Sequence, residues 1–153
     1  MRIINKSVAK KCDDDFMTIS ETDKELLASD YHFQSFHEII RWYMNFPERI
    51  TVDELSSRTG IAERTIKDMR SKRSENRRFE LRYIIAVAVG LRMLPQQGEE
   101  LVHLNGYYLR DTHKDEHIYK FLLSRCGQYT VSACNHFLME QGLSPLSDNE
   151  ILS

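Results

Sequence analysis

Val52-Asp-Glu-Leu-Ser-Ser-Arg-Thr-Gly60-Ile-Ala-Glu-Arg-Thr-Ile-Lys-Asp-Met-Arg70-Ser71 is the stretch on which the reading of this chain turns. Thr51 just before it and Glu54 within it form the Thr-x-x-Glu capping box, which starts a helix at Val52. Gly60 stops that helix, residues 52–59, and a second short helix over 62–70 follows at once. Two short helices crossing near a right angle need a tight turn, where glycine permits a positive φ. Apolar contacts would fix the angle: Leu55 from the first helix, Ile61 from the turn, Ile66 and Met69 from the second. Five features agree at once: Leu55, the small Ser56 beside it, Gly60 five residues after Leu55, Ile66 six later and Met69 three beyond. A lone glycine between helices would be far less specific.

Upstream, Phe33, Phe36, Ile39, Ile40, Tyr43 and Met44 follow three-and-four spacing, so an amphipathic helix is expected over 31–45, ended by Pro47. Residues 1–30 are polar and acidic, with Asp13-Asp14-Asp15, and read as an N-terminal arm with a short helix near 22–28. Downstream, 72–77 is a polar, basic loop, and 79–91 is the most hydrophobic helix and the expected centre of the core. Further helices are expected over 96–105, ended by Gly106, over 113–126, and over 130–141, ended by Gly142. No alternating, strand-like segment stands out. The expected division is an arm (1–30), a central helical domain (31–106), a C-terminal helical hairpin (107–146) packed on it or dimerising, and a frayed tail (147–153).

Composition bounds the function. Of 153 residues, 41% are hydrophobic and 29% charged, the balance of an ordinary globular protein. The longest apolar run, from Tyr83 to Leu91, is about half of what a bilayer span needs. The opening residues carry no secretory pattern, so the cytoplasm is the expected location. Cys12, Cys126 and Cys134 are too few for a disulfide framework and read as free thiols, the last two partly buried on helices. Net charge is −2, yet the window from Glu63 to Arg82 holds eight basic residues against four acidic ones, +4, leaving −6 elsewhere. Such a basic segment in an acidic body suits either one anion-meeting face or a solvated charged surface.

From Leu55 through Leu91 the chain resembles the lambda-repressor/Cro-like (Xre-type) helix-turn-helix family: Leu55-small-x-x-x-Gly60-apolar, a recognition helix, a loop, then a strongly apolar helix. The resemblance covers roughly residues 36–106. Ser56 stands where the family usually carries alanine, and the loop 71–78 lacks the family's common Gly and Pro. The downstream half is also similar to a group of helix-turn-helix proteins of low-GC Gram-positive bacteria. The residues concerned are Cys134-Asn135, Phe137-Leu138 and Gly142-Leu-Ser-Pro-Leu146. Some sequences of that group are fused to, or travel with, metallopeptidase domains. The resemblance implies an all-α, lambda-repressor-like helix-turn-helix bundle with an extra C-terminal helical hairpin. It also implies a transcriptional regulator that reads double-stranded DNA, as a homodimer on two half-sites about one helical turn apart.

In that arrangement helix 62–70 lies in a major groove. Arg64 is the first candidate for base readout, because its fork matches the two acceptors of a guanine edge. Lys67, Glu63 and Ser71 complete the base-reading set, while Arg70, Lys72, Arg73, Arg77 and Arg78 are assigned to phosphates. Amides at the start of helix 52–59 could take one more phosphate, against the repulsion of Asp53 and Glu54. Tyr119, Phe121, Leu122, Tyr129, Phe137 and Leu138 exceed what one hairpin needs and are candidates either for a dimer surface or for intrachain core.

Other constellations carry less. His113 and His117 sit one helical turn apart, with Cys126, Cys134 and His136 elsewhere, but without Cys-x-x-Cys they read as a solvated pair and no metal is expected. His37-Glu38-Ile39-Ile40-Arg41 begins like His-Glu-x-x-His but ends on arginine, which cannot hold a metal. With no phosphate loop or nucleophile elbow either, no enzyme activity and no cofactor are expected. The competing reading is a helical module that holds a protein partner, such as another regulator or a peptidase, and binds no DNA.

Overall fold

Past Arg82 in its first turn, the helix Leu81–Gly90 has no polar face: Ile84, Ile85, Ala86, Val87, Ala88, Val89 and Gly90 are all buried. A helix apolar all round must be enclosed by others, and the computed structural model encloses it. The structure describes Ser20, Asp23, residues 32–46 and residues 48–149. Among them are seven α-helices and no strand: α1 (Phe36–Asn45), α2 (Val52–Thr59), α3 (Glu63–Met69), α4 (Leu81–Gly90), α5 (Pro95–Leu104), α6 (Lys114–Ser124) and α7 (Val131–Glu140). A short 3-10 turn, Lys72–Ser74, follows α3. Helix α4 is packed by α2, α5, α6 and α7, while α3 rests on α1 and α2. No helix among the described residues is long and apolar enough to cross a membrane.

Local chemistry sets most of the boundaries. Thr51 Oγ1 accepts from the Glu54 amide at 3.1 Å, opening α2. Gly60, at φ 75° and ψ 13°, closes it. Thr130 Oγ1 accepts from the Ala133 amide at 3.1 Å and opens α7 in the same way. Pro95 stands in the first turn of α5, where its missing N–H costs nothing. Helix α1 starts at Phe36 rather than at 31. Phe33 is buried, but its amide donates to Glu100 Oε1 at 3.0 Å, which holds the preceding segment against α5 in a non-helical path. An apolar residue docking from a non-helical segment thus mimics one more helical turn.

The last two helices join the same core. Ile118, Leu122, Leu123, Cys126, Val131, Cys134, Leu138 and Leu146 cluster with the residues of α1 to α5. Leu122 and Leu138, candidates for a dimer surface, are therefore intrachain core, at 2% and 0% exposure. Tyr119 and Phe137 are partly buried against that core, whereas Phe121 and Tyr129 remain exposed at 42% and 41%. Cys126 and Cys134 are more deeply enclosed than expected, and burial pushes their thiols up to about 12 and about 11, which keeps them protonated and unreactive at neutral pH. Cys12, the arm over 1–30 and its helix near 22–28 lie outside the described residues, apart from a bond from the Asp23 amide to Ser20 Oγ at 3.1 Å.

Beyond α7 the chain is anchored as far as Asp148, although fraying was expected from 147 on; residues 150–153 of that tail lie outside the described residues. Leu146 is fully buried, and its amide donates to Asn135 Oδ1 at 2.7 Å. Ser147 Oγ donates to the Thr59 carbonyl. Asp148 takes both arms of Arg82, at 2.8 and 2.7 Å. The Arg82 guanidinium holds the Asp148 carboxyl below the ordinary 3.8. A lowered carboxylate pKa means that the pair is complete above the ordinary value and is lost as pH falls through the lowered one. Hydrogen exchange at the Leu146 amide, corrected for its intrinsic rate, should therefore stay slow down to about pH 4 and quicken below it. Asp148→Asn should show the faster exchange already at neutral pH; exchange equal to wild type would mean that the pair does not hold this segment.

Candidate nucleic-acid interface

The bend between α2 and α3 is held by side-chain hydroxyls as well as by glycine. Gly60 N–H closes on the Ser56 carbonyl at 2.9 Å. Ser56 Oγ donates across the bend to the Ile61 carbonyl at 2.6 Å. Thr59 Oγ1 donates to the Leu55 carbonyl at 2.7 Å and accepts from the Ile61 amide at 3.2 Å. Serine at position 56 is thus more than a small residue: it satisfies a carbonyl that the tight turn would otherwise leave without a helical partner.

Inward, α3 drives Ile66 and Met69 into the core at 0% and 1% exposure, with Leu55 and Ile61 equally buried. A seven-residue helix has little stability of its own, so these two anchors hold it in place. Outward it exposes Glu63, Arg64 and Lys67, and Ser71 is half-buried just beyond its end. The Arg64 side chain is 87% exposed. Helices α6 and α7 pack on α2, α4 and α5, away from this outward face.

The basic residues divide by what they already hold. Arg77 Nη1 meets Asp68 Oδ2 at 2.8 Å, and Arg64 Nε lies 3.5 Å from the other oxygen of the same carboxylate. Arg78 lies over the Tyr107 ring, 4.0 Å from its centroid, and donates to the Gly106 carbonyl at 3.0 Å. Arg77 and Arg78 thus serve the protein's own loop before any ligand. Among the described residues, Lys67, Arg70, Lys72 and Arg73 form no ion pair, and Lys67, Lys72 and Arg73 are exposed.

The loop carrying this charge has no glycine or proline, so side chains set its path. Ser71 Oγ accepts from the Arg73 amide at 3.2 Å and caps the 3-10 turn. Asn105, buried at the end of α5, accepts from the Phe79 amide at 2.7 Å and donates to the Arg77 carbonyl at 2.9 Å. Tyr107 Oη donates to the Phe79 carbonyl at 2.6 Å. Asn105 and Tyr107 carry no signal of this role in the sequence, since their partners lie 26 to 28 positions away.

The other constellations have local partners. His117 Nδ1 lies 3.1 Å from Asp111 Oδ1, and His113 Nδ1 lies 3.1 Å from Thr112 Oγ1. No group of three or more metal-ligating side chains converges among the described residues. Arg41 points to α3, where its Nε donates to the Arg70 carbonyl at 2.7 Å. Comparison with protein-family models, with curated proteins and with solved structures finds no match.

Proposed function

We propose that this chain is a sequence-specific, double-stranded-DNA-binding transcriptional regulator with a helix-turn-helix of the lambda-repressor type, formed by α2, the Gly60 bend and α3. One observation carries the reading: a short helix is locked inward by Ile66 and Met69 while Glu63, Arg64 and Lys67 stand uncovered on its other side. A helix so mounted can enter a major groove, whose base edges an arginine fork distinguishes. Arg64 is the leading base reader, and its 3.5 Å pair with Asp68, made from an exposed guanidinium, is weak enough to exchange for a guanine edge. Glu63, beside it, can accept from a cytosine amino group. Arg70, Lys72 and Arg73 are the phosphate contacts, since no carboxylate among the described residues holds them. Arg77 and Arg78 shape the loop that presents the others.

One module with a few phosphate contacts binds weakly at physiological salt. A homodimer joined through the exposed Phe121 and Tyr129, with Phe137 whose ring lies 6.0 Å from that of Phe121, would supply a second reading helix. The protein would act in the cytoplasm without a cofactor or catalytic role, its buried thiols remaining reduced.

Selection of bound fragments from random duplex DNA tests this directly, with enrichment of a two-fold symmetric motif expected. Against that motif, Arg64→Ala should erase preference for its base pair by roughly tenfold or more. Arg73→Ala should weaken all sequences alike and lower the salt slope by about one contact. Absence of duplex binding at low salt would overturn the proposal in favour of a protein-binding module.

A further inference from the structure

Between α1 and the end of α3 lies an open cleft of about 530 Å³, lined by Arg41, Asn45, Lys67, Arg70 and Ser71. Three of its five lining residues are cationic and none is acidic, in a protein whose net charge is −2. The cations come from two helices that are adjacent only in the fold. Arg41 is held in place by its Nε bond to the Arg70 carbonyl, which leaves both Nη nitrogens without a partner among the described residues. That bond also satisfies a carbonyl at the C-terminus of α3, offsetting the partial negative charge that would repel an anion there. Ser71 Oγ accepts from the Arg73 amide, so its own O–H is left to donate. Asn45 Nδ2 donates to the Arg41 carbonyl at 2.7 Å and closes the other side.

We propose that this cleft is an oxyanion site for a phosphate group, supplied by the backbone of the bound duplex. The proposal rests on the DNA-binding reading and revises part of the site expected from the sequence: Lys67 and Ser71 leave the base-reading set and, with Arg41 and Asn45, hold the backbone. Fixed guanidinium N–H groups beside an ammonium and a hydroxyl match the several oxygens of a phosphate. The lining has no aromatic or aliphatic residue, so it offers nothing for a base or another organic body to pack against. The cleft borders the outward face of α3, because Lys67 belongs to both. A duplex seated on Arg64 therefore brings its sugar–phosphate edge towards Arg41. Such a contact fixes the register of α3 in the groove without reading sequence.

The test uses Arg41→Gln and, because Arg41 also caps α3, the exposed Lys67→Gln as a second variant with no fold contact to lose. Affinity is measured across a salt series for a duplex bearing the selected motif and for a random duplex, and inorganic phosphate is titrated into each protein by calorimetry. The expected result is that each variant weakens both duplexes by the same factor, about tenfold, with the log–log salt slope reduced by about one and the preference ratio unchanged. Unchanged affinity and slope in both variants would overturn the proposal, as would a changed preference ratio with the slope intact. Saturable binding of inorganic phosphate that Arg41→Gln abolishes, with duplex binding unaltered, would overturn the backbone as the source and assign the cleft to free phosphate. If wild type holds no duplex at low salt, the DNA-binding reading fails on its own. The phosphate titration then decides the cleft: saturation lost in both variants supports an oxyanion site, and no saturation in wild type removes it.

Discussion

Ile66→Ala is expected to lower the unfolding free energy by about 2–5 kcal/mol, the range for emptying a fully enclosed aliphatic site. Ile66 is 0% exposed, and together with Met69 it is what α3 inserts into the core. Since a helix of seven residues is not stable alone, the loss is paid twice, as a cavity and as a loosened α3. Chemical denaturation gives the first quantity, and amide exchange at Arg70, whose N–H bonds the Ile66 carbonyl at 3.1 Å, gives the second. Lys67→Ala, one residue along but exposed, should stay within about 0.5 kcal/mol of wild type. A shift below about 1 kcal/mol in Ile66→Ala would contradict the packing described for α3.

That contrast between neighbours also shows which features are legible in a sequence. The Thr51 cap, Gly60 at positive φ, and the inward set Leu55, Ile61, Ile66 and Met69 are all local or periodic, and each stands in the structure where spacing puts it; of the capping box only the Thr51 half forms, because the Glu54 carboxylate takes Arg58 at 3.1 Å. The all-helical class follows from the same periodicity. Features that depend on a distant partner were not legible. Ser147 and Asp148 look like a polar tail until Thr59 and Arg82, 88 and 66 positions away, are brought beside them. Phe33 fits the helical period of α1, and only its amide bond to Glu100 reveals a non-helical path. Among the cations, charge counting treats Arg70 and Arg77 alike. The fold separates them, because Asp68 holds Arg77 whereas Arg41 and Lys67 gather around Arg70. In the sequence Arg41 figures only as the arginine that ends His37-Glu38-Ile39-Ile40-Arg41, and nothing there pairs it with a residue 29 positions on.

Gly90→Ala should destabilise the protein by about 1–3 kcal/mol and Gly90→Val by more, although alanine is the better helix former. Helix propensity alone predicts a gain of about 1 kcal/mol, so the sign depends on what the new methyl meets. A Cβ at position 90 would lie 2.7 Å from Thr59 Cγ2 and 3.2 Å from Leu55 Cδ1, closer than carbon atoms approach without something moving. Leu55 could shift its terminal carbon. Thr59 is not free to turn, since Oγ1 is engaged by both the Leu55 carbonyl and the Ile61 amide, and Ser147 holds its carbonyl. Rotating Cγ2 away would break the hydroxyl bonds that shape the bend, so the strain passes from α4 to the Gly60 turn and the orientation of α3. Thr59→Ser removes Cγ2 and keeps the hydroxyl. In that background Gly90→Ala should lose most of its penalty, giving a coupling energy of about 0.5–3 kcal/mol in a double-mutant cycle. Additive effects of the two substitutions would place the cost of Gly90→Ala somewhere other than the contact between α2 and α4.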